Sequence, residues 1–332
     1  MFTDADVDFH CPKDMPSDWA ETNMFVFSVP EYSIVGHVHL VTRKAVGITQ
    51  AEIVVFGKLS PDHGDVLYAD NRPSMPAIDS LSAVRTENAL EIDARNIRDY
   101  DVRYRGAYGG MSLSLAYRGL MDPFDPHDPL HNPRIAEGGR AETAWDDAYK
   151  GHFDLTCRVT GSLELHGRSF EIDCVEAMDH SWGPRREIGQ PGGGWMHAHF
   201  GEELAISWIN RRTLGSEDED REALAYGYVL DRGEATGLVS LKLRFIRVGW
   251  LLTGIVAEAL DAKGRTFLLQ GTAISGGPVR QYNHVEVCHS LMRWVLNDGR
   301  IGHGMVVDAM SFQEMAERNG RLWADQTDRT TF

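Results

Sequence analysis

The chain has 332 residues, of which 42% are hydrophobic and 25% are charged, values that are typical of a globular protein long enough for two domains. Its net charge of −16 argues against binding to nucleic acid or to anionic membranes, because both need basic patches. The N-terminus lacks the basic and apolar regions of a signal peptide. The most apolar run, residues 250–260, is too short to cross a bilayer. We therefore expect a cytoplasmic protein without a transmembrane segment.

Strand patterns dominate the first part of the chain. Apolar and polar residues alternate, between clusters of Gly, Pro, Asn and Asp, in residues 33–44, 51–59, 89–96, 100–107 and 111–120. Residues 121–150 contain four prolines and lack this alternation, so we interpret them as a connecting segment.

The second part of the chain is predicted to form hairpins. Its five longer strand patterns are residues 152–182, 194–212, 224–247, 254–274 and 284–307. Many contain a tight-turn signal near the middle, such as LHGR or DRGE. A short C-terminal helix is predicted where Ser311 and Glu314 form a capping-box pattern. Strands in both halves without alternating helices favour antiparallel barrels or sandwiches over a parallel α/β sheet.

We therefore predict an all-β chain of two domains. The first comprises residues 1–150, including the connecting segment, and the second comprises residues 151–332. A boundary nearer residue 200 is the alternative, in which the motif described next closes the first domain.

The densest group of functional side chains is EAMDHSWGPRRE, residues 176–187. In a strand, side chains alternate between faces, so Glu176, His180 and Trp182 are predicted on one face and Asp179 on the other. Gly183 and Pro184 end the strand, because proline has no N–H for the ladder. A purely structural interpretation is that Asp179 pairs with Arg185 while Trp182 and His180 pack in the core.

Two His-x-His pairs lie on predicted strands. Trp195, His197 and His199 share one face, and His37 and His39 form the second pair. An HxH pair followed by a glutamate is half of a cupin metal site, but residues 275–284 lack the pattern of the second half. The alternative is that these residues line a barrel interior or rim. Because no nucleotide, flavin or nicotinamide motif is present, we expect no cofactor.

The motif Asp179–Gly183, DHSWG, resembles the carotenoid 1,2-hydratase (hydroxyneurosporene synthase) and AttH-like superfamily. The extended form DHSWGPR, with residues 152–172 and 18–56, is most similar to a bacterial branch of that superfamily. The resemblance implies two tandem lipocalin-like β-barrels and an enzyme, such as a hydratase or cyclase, that binds an apolar molecule in or between the barrels.

The resemblance also implies roles for individual residues. His180 and Trp182 match the functional His and Trp of the superfamily. The counterpart of a later Y-x-D pair is Trp208 to Asn210. An asparagine does not donate a proton as a carboxylic acid does, so the site is carried over but the substrate is not.

Our leading hypothesis is a cofactor-independent lyase, hydratase, isomerase or cyclase acting on a hydrophobic or aromatic small molecule. His180 is its central acid or base, with Trp182, and Asp179 is either an acid of raised pKa or a brace paired with Arg185. The predicted substrate-binding residues are Trp195, His197, His199, Trp208, Asn210, Arg185, Glu176, His37 and His39.

Two other classes of function remain open from the sequence. One is a non-catalytic carrier of a hydrophobic ligand, because lipocalin-like barrels often only bind. The other is a metal-dependent, cupin-like enzyme that uses His197 and His199. A homodimer is compatible with the exposed edges expected of such barrels.

Overall fold

The computed structural model describes most of the chain, namely residues 2–107, 109–136, 148–185, 192–212, 222–282, 284–317 and 319–320. Within these residues the helices are short: Asp4–Val7, Pro30–Tyr32, Lys44–Val46, Pro133–Ala136 and 312–317. None of the described helices has the length and apolar character that a membrane-spanning segment needs.

The first unit is an antiparallel sheet of ten strands. In chain order these are β1 (Trp19–Val29), β2 (Ile34–Arg43), β3 (Ile48–Phe56), β4 (Tyr68–Pro76), β5 (Ala83–Arg85), β6 (Leu90–Ala94), β7 (Asp99–Arg105), β8 (Met111–Gly119), β9 (Gly151–Leu165) and β10 (Arg168–Pro184). The spatial order is β4-β3-β2-β1-β10-β9-β8-β7-β6-β5. Pairing of β1 with β10 therefore joins the first and last strands at the middle of the sheet.

The second unit is a closed barrel of eight strands. These are β11 (Gly193–His199), β12 (Leu204–Arg212), β13 (Glu222–Asp231), β14 (Glu234–Val248), β15 (Leu251–Asp261), β16 (Thr266–Tyr282), β17 (Val285–Leu296) and β18 (Ile301–Ser311). Each strand pairs with the next, and β11 pairs with β18 to close the barrel. Closure leaves no exposed edge in this unit.

The predicted all-β class with two consecutive antiparallel units is confirmed. The sheet changes between Pro184 and Gly193. Residues 151–184 therefore pair within the first unit, whereas a division after residue 150 would place them in the second. The reason is that β9 and β10 fill the space between β8 and β1. The C-terminal helix forms where expected, and Ser311 Oγ accepts the Glu314 N–H at 3.1 Å.

The predicted hairpin turns follow from residues that accept positive φ. His166 and Gly167 have φ of 49° and 76°, and Arg232 and Gly233 have φ of 51° and 84°. Positive φ at both central residues is the signature of the type I′ turn, whose twist suits a two-residue hairpin. The first of these turns sets the register of β9 on β10, in which Asp154 lies opposite Asp179.

Buried polar contacts join the two units. The hydroxyl groups of Thr156 on β9 and Tyr228 on β13 lie 2.9 Å apart. Trp195 Nε1 on β11 donates to Asp154 Oδ1 on β9 at 2.8 Å. Leaving such a buried group unpaired costs about 1–3 kcal/mol. These bonds therefore favour one position of the barrel against β1, β9 and β10.

Candidate active site

The predicted alternation along β10 is present from Asp179 to Trp182, and it divides these residues between two environments. Asp179 lies opposite Met24 of β1 and faces the barrel, where it lines a cavity. His180 lies opposite Asn23 and Trp182 lies opposite Glu21. These two side chains face the other way, against the N-terminal segment.

The cavity lies between the first sheet and the barrel and has a volume of about 100 Å³. A cavity of roughly 150 Å³ can hold benzene, so a larger ligand requires wall side chains to move. Its walls are mostly apolar and aromatic, and its lining residues are Thr22, Met24, His39, Tyr149, His152, Asp179, Gly193, Gly194, Trp195, Ile209, Gln281, Tyr282, Val287, Val307 and Ala309.

Asp179 is the carboxyl group of this cavity. Its Oδ1 accepts the Met24 N–H at 3.0 Å, and its Oδ2 lies 3.8 Å from His152 Nδ1. Burial raises the pKa of Asp179 to about 7; the charge of Asp154 acts in the same direction, while His152 and Arg185 oppose it. Desolvation therefore outweighs the neighbouring positive charges.

His152 lies between two carboxyl groups. Its Nε2 lies 3.1 Å from Asp154 Oδ2, and its Nδ1 faces Asp179. Burial lowers the pKa of His152, but the negative charges of Asp154 and Asp179 together raise it above its ordinary value. Asp154 is also held by Trp195 Nε1. The result is a line of three groups, Asp154–His152–Asp179, that ends in the cavity.

His180 and Trp182, the predicted catalytic pair, do not line the cavity. His180 is fully buried, its Nδ1 lies 3.1 Å from the Asp6 carbonyl oxygen, and its Nε2 lies 3.6 Å from Glu21 Oε2. The Trp182 ring stacks on the His10 ring with centroids 3.5 Å apart. We predicted His180 as the central acid or base, but the structure places it under the N-terminal segment and not at the cavity.

Arg185 is not a direct brace of Asp179. Its Nη2 donates to Ser181 Oγ at 2.5 Å, and its guanidinium carbon lies 4.2 Å from the centre of the Tyr149 ring. Arg185 therefore packs on Tyr149, which lines the cavity. It acts on Asp179 through its charge.

The HxH pair of β11 does not reach the cavity, although Trp195 does. His197 Nδ1 lies 3.1 Å from Ser207 Oγ, and His199 Nδ1 lies 3.7 Å from Glu176 Oε2. Among the described residues no third ligand joins these two imidazoles. The cupin-like hypothesis is therefore not supported by the placement of its residues.

Trp208 and Asn210 are also outside the cavity. Trp208 packs in the barrel core, with its ring centroid 5.9 Å from that of Trp294. Asn210 Nδ2 donates to Glu222 Oε2 at 2.5 Å. The pairing of β12 with β11 is continuous through both residues, and the register shift between Ile209 and Asn210 lies in the pairing with β13, where Ala225 is skipped.

Glu176 lies at the junction of the two units, apart from His180. Its Oε1 accepts from Ser28 Oγ at 2.7 Å, and its Oε2 accepts the Met305 N–H at 3.2 Å. Burial raises the pKa of Glu176 to about 7, against the effect of these two donors.

The HxH pair of β2 has one member in the cavity. His39 lines it, and its Nδ1 lies 2.9 Å from Gln281 Nε2. His37 lies deeper, with Nε2 2.9 Å from Glu52 Oε1 and Nδ1 2.9 Å from His289 Nδ1. Burial raises the pKa of Glu52 to about 8 and lowers that of His37 to about 3.

The candidate site residues that the sequence analysis missed are His152 and Asp154. The available signal was the hairpin turn at His166–Gly167, because a two-residue turn fixes which β9 residue lies opposite Asp179.

Comparison with known families identifies the chain. A family model described as a domain of unknown function, DUF7064, matches residues 3–318. The chain belongs to the DUF7064 family. No curated protein sequence matches this DUF7064 chain.

Solved structures share the fold of the DUF7064 chain. A protein from Nitrosomonas europaea described as AttH has a TM-score of 0.58 at 12% identity, over 87% of this chain and 91% of that one. Kievitone hydratase from Nectria haematococca has a TM-score of 0.51 at 12% identity, over 89% of each chain. CghA has a TM-score of 0.54 at 13% identity, over 90% of each chain. The predicted resemblance to AttH-like proteins is thus confirmed at the level of the fold.

Proposed function

We propose that this DUF7064 protein is an enzyme of the hydratase or lyase kind, which acts on a small apolar or aromatic molecule in the cavity between its two units. The observation that carries this proposal is the Asp154–His152–Asp179 line, which ends in an otherwise apolar and aromatic cavity. The fold shared with kievitone hydratase supports the same class.

The geometry suits addition of water to a carbon–carbon double bond. The Asp179 carboxyl group in its acid form donates a proton to one alkene carbon, and a C–H bond forms. Water adds to the other carbon, and the proton that this water loses returns to the Asp179 carboxylate. The same steps in reverse remove water. His152, 3.8 Å from Asp179, stabilises the carboxylate form by its positive charge, and Asp154 stabilises the charged imidazole in turn.

The aromatic walls suit the charge that develops in such a reaction. Trp195 and Tyr149 line the same cavity as Asp179. The π face of an aromatic ring stabilises a desolvated cation by about 1–2 kcal/mol. The cavity therefore combines a proton donor with walls that tolerate a carbocation.

Apolar walls alone would also suit a carrier, the second class of function. A carrier needs no converging ionisable groups, whereas Asp179, His152 and His39 all reach this cavity. This convergence favours an enzyme.

The proposal is tested with kievitone and a panel of terpenoid and aromatic alkenes, together with their alcohol hydrates. Each compound is incubated with the protein in isotopically labelled water and analysed by mass spectrometry. We expect turnover by the wild type and a loss of about 10²-fold or more in Asp179→Asn, the range for removal of a general acid. The matched control is Asp173→Asn on the same strand, because Asp173 is exposed and pairs with Arg158. Full turnover by Asp179→Asn would disprove the assignment, and binding without turnover across the panel would favour the carrier.

A further inference from the structure

The face of β10 opposite the cavity carries a second group of side chains with metal-binding chemistry. His10 of the N-terminal segment, Glu21 of β1 and His180 of β10 each offer a ligand atom, and these atoms lie within 4.8 Å of one another. Within the described part of the chain, this is the group of three that meets that spacing. Local motifs give no sign of it, because the three residues come from separate segments.

The hydrogen bonding of His180 leaves one nitrogen for a cation. Its Nδ1 donates to the Asp6 carbonyl oxygen at 3.1 Å, so Nε2 carries the lone pair in the neutral ring. Nε2 is buried, has no hydrogen-bond partner among the described residues, and lies 3.6 Å from Glu21 Oε2. Two atoms that both present lone pairs repel each other unless a cation lies between them.

His10 repeats this arrangement from the other side. Its Nε2 lies 3.1 Å from Asp6 Oδ1, and its Nδ1 lies 3.4 Å from Glu21 Oε2. Histidines that bind metals usually donate their other ring N–H to a carboxylate or a backbone carbonyl. Asp6 supplies both kinds of acceptor, its side chain to His10 and its carbonyl to His180.

The two carboxylate oxygens of Glu21 have different neighbours. Its Oε1 accepts from Trp19 Nε1 at 3.1 Å and from Cys11 Sγ at 3.3 Å. The backbone N–H of His10 donates to both oxygens, at 2.8 and 2.9 Å. Oε2 faces both rings. Its distances of 3.4 and 3.6 Å to the ring nitrogens exceed those of a charge-assisted hydrogen bond. They approach the edge of a tetrahedral zinc site, about 3.3 Å for bonds of about 2.0–2.1 Å.

We propose that His10 Nδ1, Glu21 Oε2 and His180 Nε2 bind one Zn²⁺ ion, which fastens the N-terminal segment to β1 and β10. Two imidazoles and one carboxylate are an established ligand set for zinc, with water in the fourth position. The His10 side chain is 20% exposed, which gives the ion a path from solvent. This site is independent of the proposed function, because it lies on the opposite face of β10 from the cavity.

The test uses the full chain without an affinity tag, stripped with a chelator, dialysed, and titrated with Zn²⁺ by calorimetry. We expect one ion per chain and a higher Tm with Zn²⁺, because a ligand that binds the folded state stabilises it. Titration with Co²⁺ should give the visible absorption of a four-coordinate site. His10→Gln should abolish binding, whereas the control His166→Asn should keep it, since His166 lies in an exposed turn with φ of 49° that asparagine accepts.

Asp6→Asn tests the same site through a residue that contacts His10 without binding the ion. The Asp6 side chain is only partly buried, so this variant should fold. Loss of a supporting carboxylate should weaken Zn²⁺ binding about 10–100-fold. The proposal is overturned if the wild type binds no stoichiometric Zn²⁺, if folded His10→Gln binds it as tightly as the wild type, or if Asp6→Asn has unchanged affinity.

Discussion

The two faces of β10 place neighbouring residues in opposite settings. Asp179 borders a cavity, and its side chain is 16% exposed. His180, the next residue, is fully buried against the N-terminal segment. Both carry groups that acid–base chemistry uses, but only Asp179 lines the cavity.

The comparison teaches that residue type alone does not identify a catalytic group. A general acid must reach the reacting atom, whereas a group that holds a segment must satisfy its partners within the fold. Asp179, on the barrel-facing side of β10, borders the cavity, whereas His180 and Trp182 contact the N-terminal segment. Variants on the two faces should therefore affect different measurements.

The largest expected effect is on stability, from the N-terminal side. Trp182→Ala should lower the free energy of unfolding by about 3–5 kcal/mol, the usual cost of truncating a buried aromatic residue, because Trp182 packs on His10 and Phe2. The folded fraction should keep its turnover. Chemical denaturation measures the change, and Trp250→Ala, at a half-buried turn residue, is the milder control. An unchanged stability would remove the structural role of this face.

The next effect is on turnover, from the cavity side. His152→Gln should lower kcat by about 10²-fold, because it removes the imidazole between Asp154 and Asp179. Far-ultraviolet circular dichroism should show a folded protein. His303→Gln on β18, half-buried and outside the cavity lining, should turn over normally. If both variants lost activity equally, the assignment of the cavity would fail.

A third variant concerns Glu52 of β3, a buried carboxyl group that does not line the cavity. Glu52 has a folded pKa of about 8, above its ordinary value of 4.5, so the folded state keeps a proton that the unfolded state has lost. Stability therefore falls as pH rises towards 8. Below about pH 6.5 the lowered pKa of His37 opposes this trend, so the useful window lies between about pH 6.5 and 8. Asp179 and Glu176, whose pKa values are raised to about 7, act in the same direction there, so the difference between wild type and Glu52→Gln isolates Glu52.

In that window the wild type should lose about 2 kcal/mol more unfolding free energy than Glu52→Gln does. Urea denaturation at several pH values measures this, with exposed Glu31→Gln as the control. Parallel pH profiles for wild type and Glu52→Gln would show that Glu52 is ionised in the folded state.

The smallest effect concerns the support of the Asp154–His152–Asp179 line. Trp195→Phe keeps an aromatic wall but removes the donor to Asp154, which should cost about 1.5 kcal/mol and lower kcat less than His152→Gln does. Trp294→Phe removes a similar bond, to the His197 carbonyl oxygen, and should leave turnover unchanged. Equal losses of turnover in the two variants would contradict a specific role for Trp195.

Much of the fold was predictable from local patterns. Alternation identified the strands, and turn residues such as His166–Gly167 identified the hairpins, because both depend on neighbouring residues in the chain. The same alternation placed Asp179 and His180 on different faces. The DHSWG motif identified the fold of its relatives, which is the part of the resemblance that the structure confirms.

The choice between the two faces was not predictable in this way. It depends on what covers each face: the segment around Asp6 and His10 on one side, and the barrel on the other. Both are tertiary contacts between distant parts of the chain. Asn210 shows a second limit, because the partner of its side chain, Glu222, comes from the neighbouring strand β13, and such a contact has no signal in the residues around Asn210.

The pairing of β1 with β10 has a consequence for the order of folding. The Met24 N–H that holds Asp179 comes from a residue 155 positions earlier in the chain. Contacts across such separations form slowly, because the loop between them must first close. During synthesis, β1 can pair with β2 early, but its other edge must wait until β10 has left the ribosome. The cavity is therefore among the last parts of the molecule to be assembled, and substitutions that slow this single pairing should delay activity more than they delay the formation of β structure.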